Sequence, residues 1–150
     1  MFSPITPTDL ASPFSEKSGV SVDKLPPQSL EAEASVLGAL MMDKNAIIRV
    51  ADILRPEDFY KRAHHLVFAA ILHLYEKVEP VDVLSLSNRL KETGELEAIG
   101  GTSYLASLVN SVPTASNVAH YAKIVRHKKI LRDLLAASQD IARLGFEENQ

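Results

Sequence analysis

The densest group of chemically capable side chains in this sequence is basic and lies in one predicted helix. No acidic residue interrupts the ten positions that carry Lys123, Arg126, Lys128, Lys129 and Arg132. Cations at this density can bind the phosphates of a nucleic acid. They are spread around the helix instead of sharing one face, however, and the chain has a net charge of −3. We therefore favour a solvated helix surface and keep a DNA-contacting module as the alternative function.

Metal and nucleophilic chemistry have weaker signals. His64, His65 and His73 fall on one predicted helix, but His65 and His73 are eight positions apart, whereas two ligands of one zinc ion on a helix need a spacing of four. The sequence has no cysteine, no G-x-x-x-x-G-K-[ST] phosphate loop and no G-x-S-x-G serine motif. The histidines are predicted to be ordinary helix-boundary residues. We expect no catalytic residue, no cofactor-binding residue and no metal ligand in this chain.

The paired acidic residues also fit surface positions better than a catalytic pair, which needs a cleft that shifts its pKa values. We predict solvated surface or helix-end acids at three pairs: Glu31 with Glu33, Glu57 with Asp58, and Glu147 with Glu148.

Helices are the elements that must position all of these residues. From Ser29 onward, apolar residues recur at spacings of three and four, and no segment alternates with a period of two. Ser29 and Asp82 are predicted caps, and Thr102 or Ser103 is a predicted cap after the Gly100-Gly101 turn. The apolar segment 66–75 is expected to be the central helix. The predicted face of the first helix contains Leu30, Ala34, Leu37, Leu40 and Met41. The fold class is all-α with six to seven helices.

The predicted organisation has three parts. Five of the eight prolines lie within the first 27 residues, so residues 1–28 are expected to form a disordered arm. Residues 29–113 form a compact helical head, and residues 114–150 contain one long helix from about 116 to 144. At 1.5 Å per residue this helix is about 42 Å long, which exceeds the head that precedes it. Its second half should project, and a projecting apolar surface requires a partner.

Neither a membrane span nor a secretory signal is predicted. No run approaches the roughly 18 apolar residues that a span needs, and residues 1–13 lack a basic start and an apolar stretch. The absence of cysteine suits a reducing compartment. We expect a cytoplasmic protein without a membrane partner.

Five segments, in this order and spacing, resemble the N-terminal domain of the bacterial replicative DNA helicase, the DnaB family. The segments are Pro-Pro-Gln-Ser-Leu-Glu-Ala-Glu-Ala-Ser-Val-Leu-Gly-Ala-Leu at 26–40, Pro-Glu-Asp-Phe-Tyr at 56–60, Glu-Pro-Val-Asp at 79–82, Gly-Glu-Leu-Glu-Ala-Ile-Gly-Gly-Thr-Ser-Tyr-Leu at 94–105 and Val-Pro-Thr-Ala-Ser-Asn-Val-Ala-His-Tyr-Ala-Lys-Ile-Val-Arg at 112–126.

The resemblance implies a helical head followed by a helical hairpin, with the helix at 116–144 as the first arm. In the family, two hairpins pair, and three such dimers form a collar on the hexameric ring. The collar recruits primase through the C-terminal helicase-binding domain of primase, and a helicase loader is a further possible partner. Candidate dimer or primase contacts on this long helix are Leu131, Leu134, Leu135 and Ile141. Asp82 and Tyr104 fall on matched head positions, and Asp82 suits a structural cap better than a contact.

The resemblance also places the motor function elsewhere. The second hairpin arm, the linker and the RecA-type ATPase domain of the family have no counterpart in the matched segments. ATP and Mg binding, ATP hydrolysis and most DNA contact are therefore expected only of the full-length protein. This chain is expected to be an assembly module at the replication fork, without catalysis or a cofactor of its own.

Overall fold

The computed structural model describes residues 25–112 and 114–147, and in these ranges every regular element is helical. A 3₁₀ turn at Pro56–Asp58 lies between α2 and α3. The α-helices are α1 (Leu30–Met42), α2 (Ala46–Val50), α3 (Arg62–Glu76), α4 (Val83–Glu92), α5 (Leu96–Ile99), α6 (Gly101–Asn110) and α7 (Val118–Phe146). The predicted all-α fold with a long last helix is confirmed. Most of the predicted disordered arm, residues 1–24, lies outside the described residues, as does Pro113.

Side-chain caps define two of the helix starts that the sequence predicts. The Ser29 hydroxyl accepts a hydrogen bond from the Ala32 N–H at 3.2 Å, and the Asp82 carboxylate accepts one from the Ser85 N–H at 2.7 Å. The predicted cap at Thr102 or Ser103 is wrong. Gly100, with φ of 104°, both ends α5 and begins α6, so Thr102 already lies inside the helix and its hydroxyl donates to Ser87 instead.

Two helices share the centre of the head. Eight of the thirteen residues of α1 and eight of the fifteen residues of α3 are buried. Because α1 packs against α2, α3, α6 and α7, it is as central as the segment at 66–75, which the sequence alone singled out. Leu30, predicted to be buried, is instead exposed, since it stands at the outer end of α1.

The close approach of α1 and α6 depends on Gly38. A Cβ atom at this buried position would overlap the carbonyl oxygen of Leu108 and a methyl group of Val112. Since the Leu108 oxygen belongs to the main chain of α6, the overlap is relieved only if the two helices move apart. Gly38 therefore sets the distance between the two helices.

Replacing Gly38 by alanine should lower the free energy of unfolding by about 1–3 kcal/mol, the usual cost of overpacking a core. The loss should appear although alanine favours a helix by up to about 1 kcal/mol. Urea denaturation followed by circular dichroism measures it. Gly145→Ala is the matched control, because Gly145 is also helical but has no atom within 4 Å of an added Cβ. Equal stability of the two variants would contradict the close approach.

No helix in the described part of the chain combines the length and the apolar character needed to cross a membrane.

Candidate functional site

A buried carboxylate joins the start of α1 to the start of α3. Glu33 is almost fully buried, and its two oxygens accept hydrogen bonds from the main-chain N–H groups of Tyr60 at 2.8 Å and Lys61 at 3.3 Å. Its Oε1 also lies 2.8 Å from Nδ1 of His64, which is buried as well. A buried carboxylate is tolerated only when its oxygens are satisfied in this way.

The same network continues to the surface through Tyr104 of α6. Nε2 of His64 lies 2.6 Å from Oη of Tyr104, and the Lys61 ammonium donates to that oxygen at 3.0 Å. Because a carboxylate can only accept, Nδ1 of His64 donates to Glu33; in the neutral imidazole Nε2 then accepts from the Tyr104 hydroxyl. Lys61, Tyr104, His64 and Glu33 thus form one directed chain of hydrogen bonds, which joins α1, α3 and α6.

Sequence reasoning missed this network, and the expectation of a solvated acid at Glu33 is wrong. The signal was present in the helical periodicity. Glu33 lies three, four and seven positions before buried residues of α1, and His64 has the same spacing before buried residues of α3. A polar residue on a core face implies a buried partner. What periodicity could not give was the pairing, because these two residues are 31 positions apart.

A second buried carboxylate attaches α7 to the head. Asp58, at the end of the 3₁₀ turn, is buried, which also corrects its predicted surface position. One carboxylate oxygen accepts from the Arg55 N–H at 2.8 Å, and the other accepts from the Arg126 guanidinium at 2.8 Å. The turn is thereby tied to the first third of α7.

Arg132 makes the last attachment before α7 leaves the head. Its guanidinium donates to the carbonyl oxygens of Pro27 and Asp58, each at 2.8 Å, and lies over the ring of Tyr60 at 5.4 Å. Since Pro27 lies three residues before the start of α1, the exit point of α7 lies beside the N-terminal end of α1.

The second half of α7 has no cover from the described part of the chain. Val118, Ala122 and Val125 are buried in the head, whereas every described residue from position 133 to 147 is exposed. We call residues 133–146 the arm; at 1.5 Å per residue it extends about 20 Å. The second half of the long helix therefore projects, as the sequence predicts.

Four of the six predicted interface residues share one face of this helix. At 100° per residue, Leu131, Leu134, Leu135 and Ile141 fall within a stripe of about 120°. Leu131, next to the head, is half-buried; Leu134 and Ile141 are 63% and 69% exposed. Ser138 falls within the same stripe, and no residue in the described part of the chain covers its exposed side chains beyond Leu131.

The other two predicted interface residues lie apart from the stripe. Asp82 is at the N-terminal cap of α4, where its side chain holds the first turn. Tyr104 is half-buried in α6 and bonded within the network of Glu33. The structure gives both residues structural contacts, and their role at an interface stays a prediction.

Most of the predicted nucleic-acid contacts have partners within the protein. Arg126 and Arg132 hold the head, and Lys129 pairs with Asp133 at 2.9 Å. Among the described residues, no hydrogen bond or ion pair occupies Lys123 or Lys128. The DNA-contacting alternative would depend mainly on these two residues, and it stays a prediction.

The histidines do not form a metal centre in the described structure. Both ring nitrogens of His64 are hydrogen-bonded to Glu33 and Tyr104, so neither is free to bind a metal. Among the described residues, no three histidine or acidic side chains converge closely enough to hold an ion.

Comparison with known proteins agrees with this architecture. The family model described as the DnaB-like helicase N terminal domain matches residues 25–127. The replicative DNA helicase DnaB of Geobacillus stearothermophilus is 45% identical over 124 residues, which are 83% of this chain and 27% of that relative. The chain therefore spans about a quarter of the length of the curated relative that it matches.

Solved structures give the same result in three dimensions. The crystal structure of the N-terminal domain of DnaB helicase from Mycobacterium tuberculosis is 44% identical, with a TM-score of 0.81; the match covers 83% of this chain and 89% of that one. A second structure, of a DnaB-like replicative helicase and its interactions with primase, is 26% identical, with a TM-score of 0.69; it covers 77% of this chain and 27% of the other. The chain belongs to the DnaB-like helicase N-terminal domain family.

Proposed function

We propose that this chain is the assembly module of a replicative DNA helicase and acts at the replication fork in the cytoplasm. It pairs with a second copy through the arm and, in the assembled ring, recruits the C-terminal helicase-binding domain of primase. The chain supplies contacts and no catalysis; ATP, Mg and most DNA contact belong to the ATPase domain of the full-length helicase. A helicase loader is a further candidate partner.

The main support for this proposal is the uncovered stripe on α7, a helix that Arg126 and Arg132 attach to the head. Burying one leucine-sized side chain contributes about 1.5–3 kcal/mol, so three or four such residues supply enough free energy to offset the cost of association. The attachments of Arg126 and Arg132 keep the arm in a fixed direction, which reduces the entropy lost on binding. The helicase–primase interaction named for one structural relative supports primase as the partner.

The double variant Leu134→Asp/Ile141→Asp tests the proposal. Both side chains are exposed, so the fold should be unchanged, while two carboxylates in the stripe would have to be desolvated in any apolar contact. We expect self-association and binding to the primase domain to weaken by a factor of 100 or more, on the order of 3 kcal/mol. Sedimentation equilibrium and calorimetric titration measure the two affinities.

The matched control is Leu84→Asp on the head, because Leu84 is 72% exposed and Ile141 is 69% exposed. It adds one carboxylate, where the arm variant adds two, to a similarly exposed apolar position outside the arm. If the arm variant associates with itself and with primase as strongly as the control, the stripe is not the interface.

A further inference from the structure

The open face of α7 extends beyond the arm onto the half of the helix that is attached to the head. At about 100° per residue, the buried residues Val118, Ala122 and Val125 lie on the side of α7 opposite to the stripe. The head therefore covers one side of the helix and leaves Lys123 and His127 exposed on the other. A partner bound to the stripe can continue along this open side, past the exit point of the arm.

Three basic residues continue the stripe toward the head. Lys123 lies at the same angle around the helix as Ile141, which is five turns later. Lys128 lies about 20° from the direction of Leu135, and His127 lies between the two lysines. Lys123 and His127 are exposed, and Lys128 is half-buried. We call these three residues the basic end of the stripe. From Lys123 to Ile141 the combined surface is about 27 Å long, basic at one end and apolar at the other.

The two lysines of the basic end have no counter-ion in the described part of the chain. The sequence contains no acidic residue from position 98 to 132. The neighbouring cations Arg126 and Lys129 differ, because each of them pairs with an aspartate. Within residues that the structure describes, no ion pair includes Lys123 or Lys128. These two charges are therefore available to the carboxylates of a partner.

A second copy bound through the same face would not supply those carboxylates. The aspartates of the arm, Asp133 and Asp140, lie on the side of α7 away from the stripe. Two copies aligned in the same direction would bring Lys123 of one next to Lys123 of the other, and like charges repel. A nucleic acid would use only two available lysines and would leave the leucines of the stripe uncovered. A helix that is apolar at one end and acidic at the other fits both parts of the surface.

We propose that this surface binds an amphipathic helix of another protein, which presents apolar side chains to the stripe and carboxylates to Lys123 and Lys128. This inference rests on the proposed function, because it takes the stripe as a docking surface, and it adds the chemistry of the partner. The apolar part accepts hydrophobic helices in general, including a second copy. The basic end selects an acidic partner and sets the direction in which that partner lies along α7.

A synthetic helical peptide of about 18 residues tests the proposal, because at 1.5 Å per residue it spans the combined surface. It carries leucines along one face and glutamates beside this face at one end. Fluorescence anisotropy measures its affinity for the protein. We expect Lys123→Gln/Lys128→Gln to weaken the affinity about threefold or more, a modest change because exposed ion pairs are weak. Leu134→Asp/Ile141→Asp should weaken it about tenfold or more, since two apolar contacts are lost.

Lys77→Gln/Lys91→Gln is the matched control, because it removes two charges from exposed positions at the ends of α3 and α4. It should leave the affinity for the peptide unchanged. Raising sodium chloride from about 0.05 to 0.5 M should weaken peptide binding to this control more than binding to Lys123→Gln/Lys128→Gln, because salt screens ion pairs that the second variant lacks. A peptide with lysine in place of glutamate should bind the parent about threefold more weakly or worse.

The proposal is overturned if Lys123→Gln/Lys128→Gln binds the glutamate peptide as tightly as the control does, or if the lysine peptide binds equally well. Loss of self-association by this variant in sedimentation equilibrium would also overturn it, because the basic end would then contact a second copy. The same holds if a labelled single-stranded oligonucleotide binds more tightly than the peptide and is released by this variant. The proposed function fails on a different result, unchanged self-association and primase binding of Leu134→Asp/Ile141→Asp.

Discussion

Replacing Glu33 by leucine should remove about 3–5 kcal/mol from the free energy of unfolding, because three hydrogen-bond donors lose their acceptor at once. This is a large part of the 5–15 kcal/mol that stabilises an ordinary domain. The substitution leaves the N–H groups of Tyr60 and Lys61 and the ring of His64 without an acceptor. A donor left unsatisfied in the interior costs about 1–3 kcal/mol; the His64 ring is buried and the two N–H groups are partly buried, and leucine offers none of them an acceptor.

Glu31→Leu is the matched control for this variant. Glu31 lies two residues earlier in the same first turn of α1 but is exposed, so its replacement should change stability by about 0.5 kcal/mol or less. Urea unfolding at one fixed protein concentration measures both variants, because association makes the midpoint dependent on concentration.

If Glu33→Leu does not fold, the milder substitution Tyr104→Phe tests the same hydrogen-bond network. It removes only the hydroxyl that connects His64 to Lys61 and should cost about 1–2 kcal/mol. If Glu33→Leu is as stable as Glu31→Leu, the network of Glu33 contributes nothing to the fold, and the assignment of its hydrogen bonds is wrong.

Asp58→Ala should have the second-largest effect, a loss of about 2–3 kcal/mol. The buried carboxylate holds both the Arg55 N–H and the Arg126 guanidinium, and both bonds disappear with it. The loss is smaller than for Glu33 because the side chain of Arg126 is 45% exposed and can be hydrated when its partner is removed.

The Asp58 variant should also loosen α7 specifically. Amide hydrogen exchange should accelerate in residues 118–132 more than in α3, since α7 loses an attachment to the 3₁₀ turn. Asp133→Ala is the control, because Asp133 pairs with Lys129 on the exposed surface of the same helix and such pairs contribute about 0–1 kcal/mol. Uniform acceleration across the head would show that Asp58 stabilises the head as a whole and does not attach α7 in particular.

These two carboxylates explain how a small helical head can hold a long helix in one direction. Glu33 fixes α1, α3 and α6 relative to one another. Asp58 and the main chain beside it then fix Arg126 and Arg132, which are the last two attachments before the arm. A helix attached only by apolar side chains could slide along its own axis, whereas the directed bonds of two guanidinium groups define its position.

Contacts between residues that lie near one another in the chain could be predicted from the sequence. The caps at Ser29 and Asp82 depend on residues only three positions away, and the period of the apolar residues identified the helices. The projection of the arm also followed from length alone, because a helix of this length exceeds the size of the head. The segments at 26–40 and 94–105 identified the family.

The tertiary structure alone decided which polar residues are buried and what they pair with. Glu33 and His64, Asp58 and Arg126, and Arg132 and Pro27 are separated by 31, 68 and 105 positions. Helical periodicity describes which side of one helix faces inward, but it does not specify which other helix lies there, since that depends on packing. For the same reason the basic run looked like a free cationic surface, although Arg126 and Arg132 hold the head and Lys129 pairs with its own helix. The sequence by itself determined the helices, the family and the uncovered arm, and only the packed head determined which charges remain available to a partner.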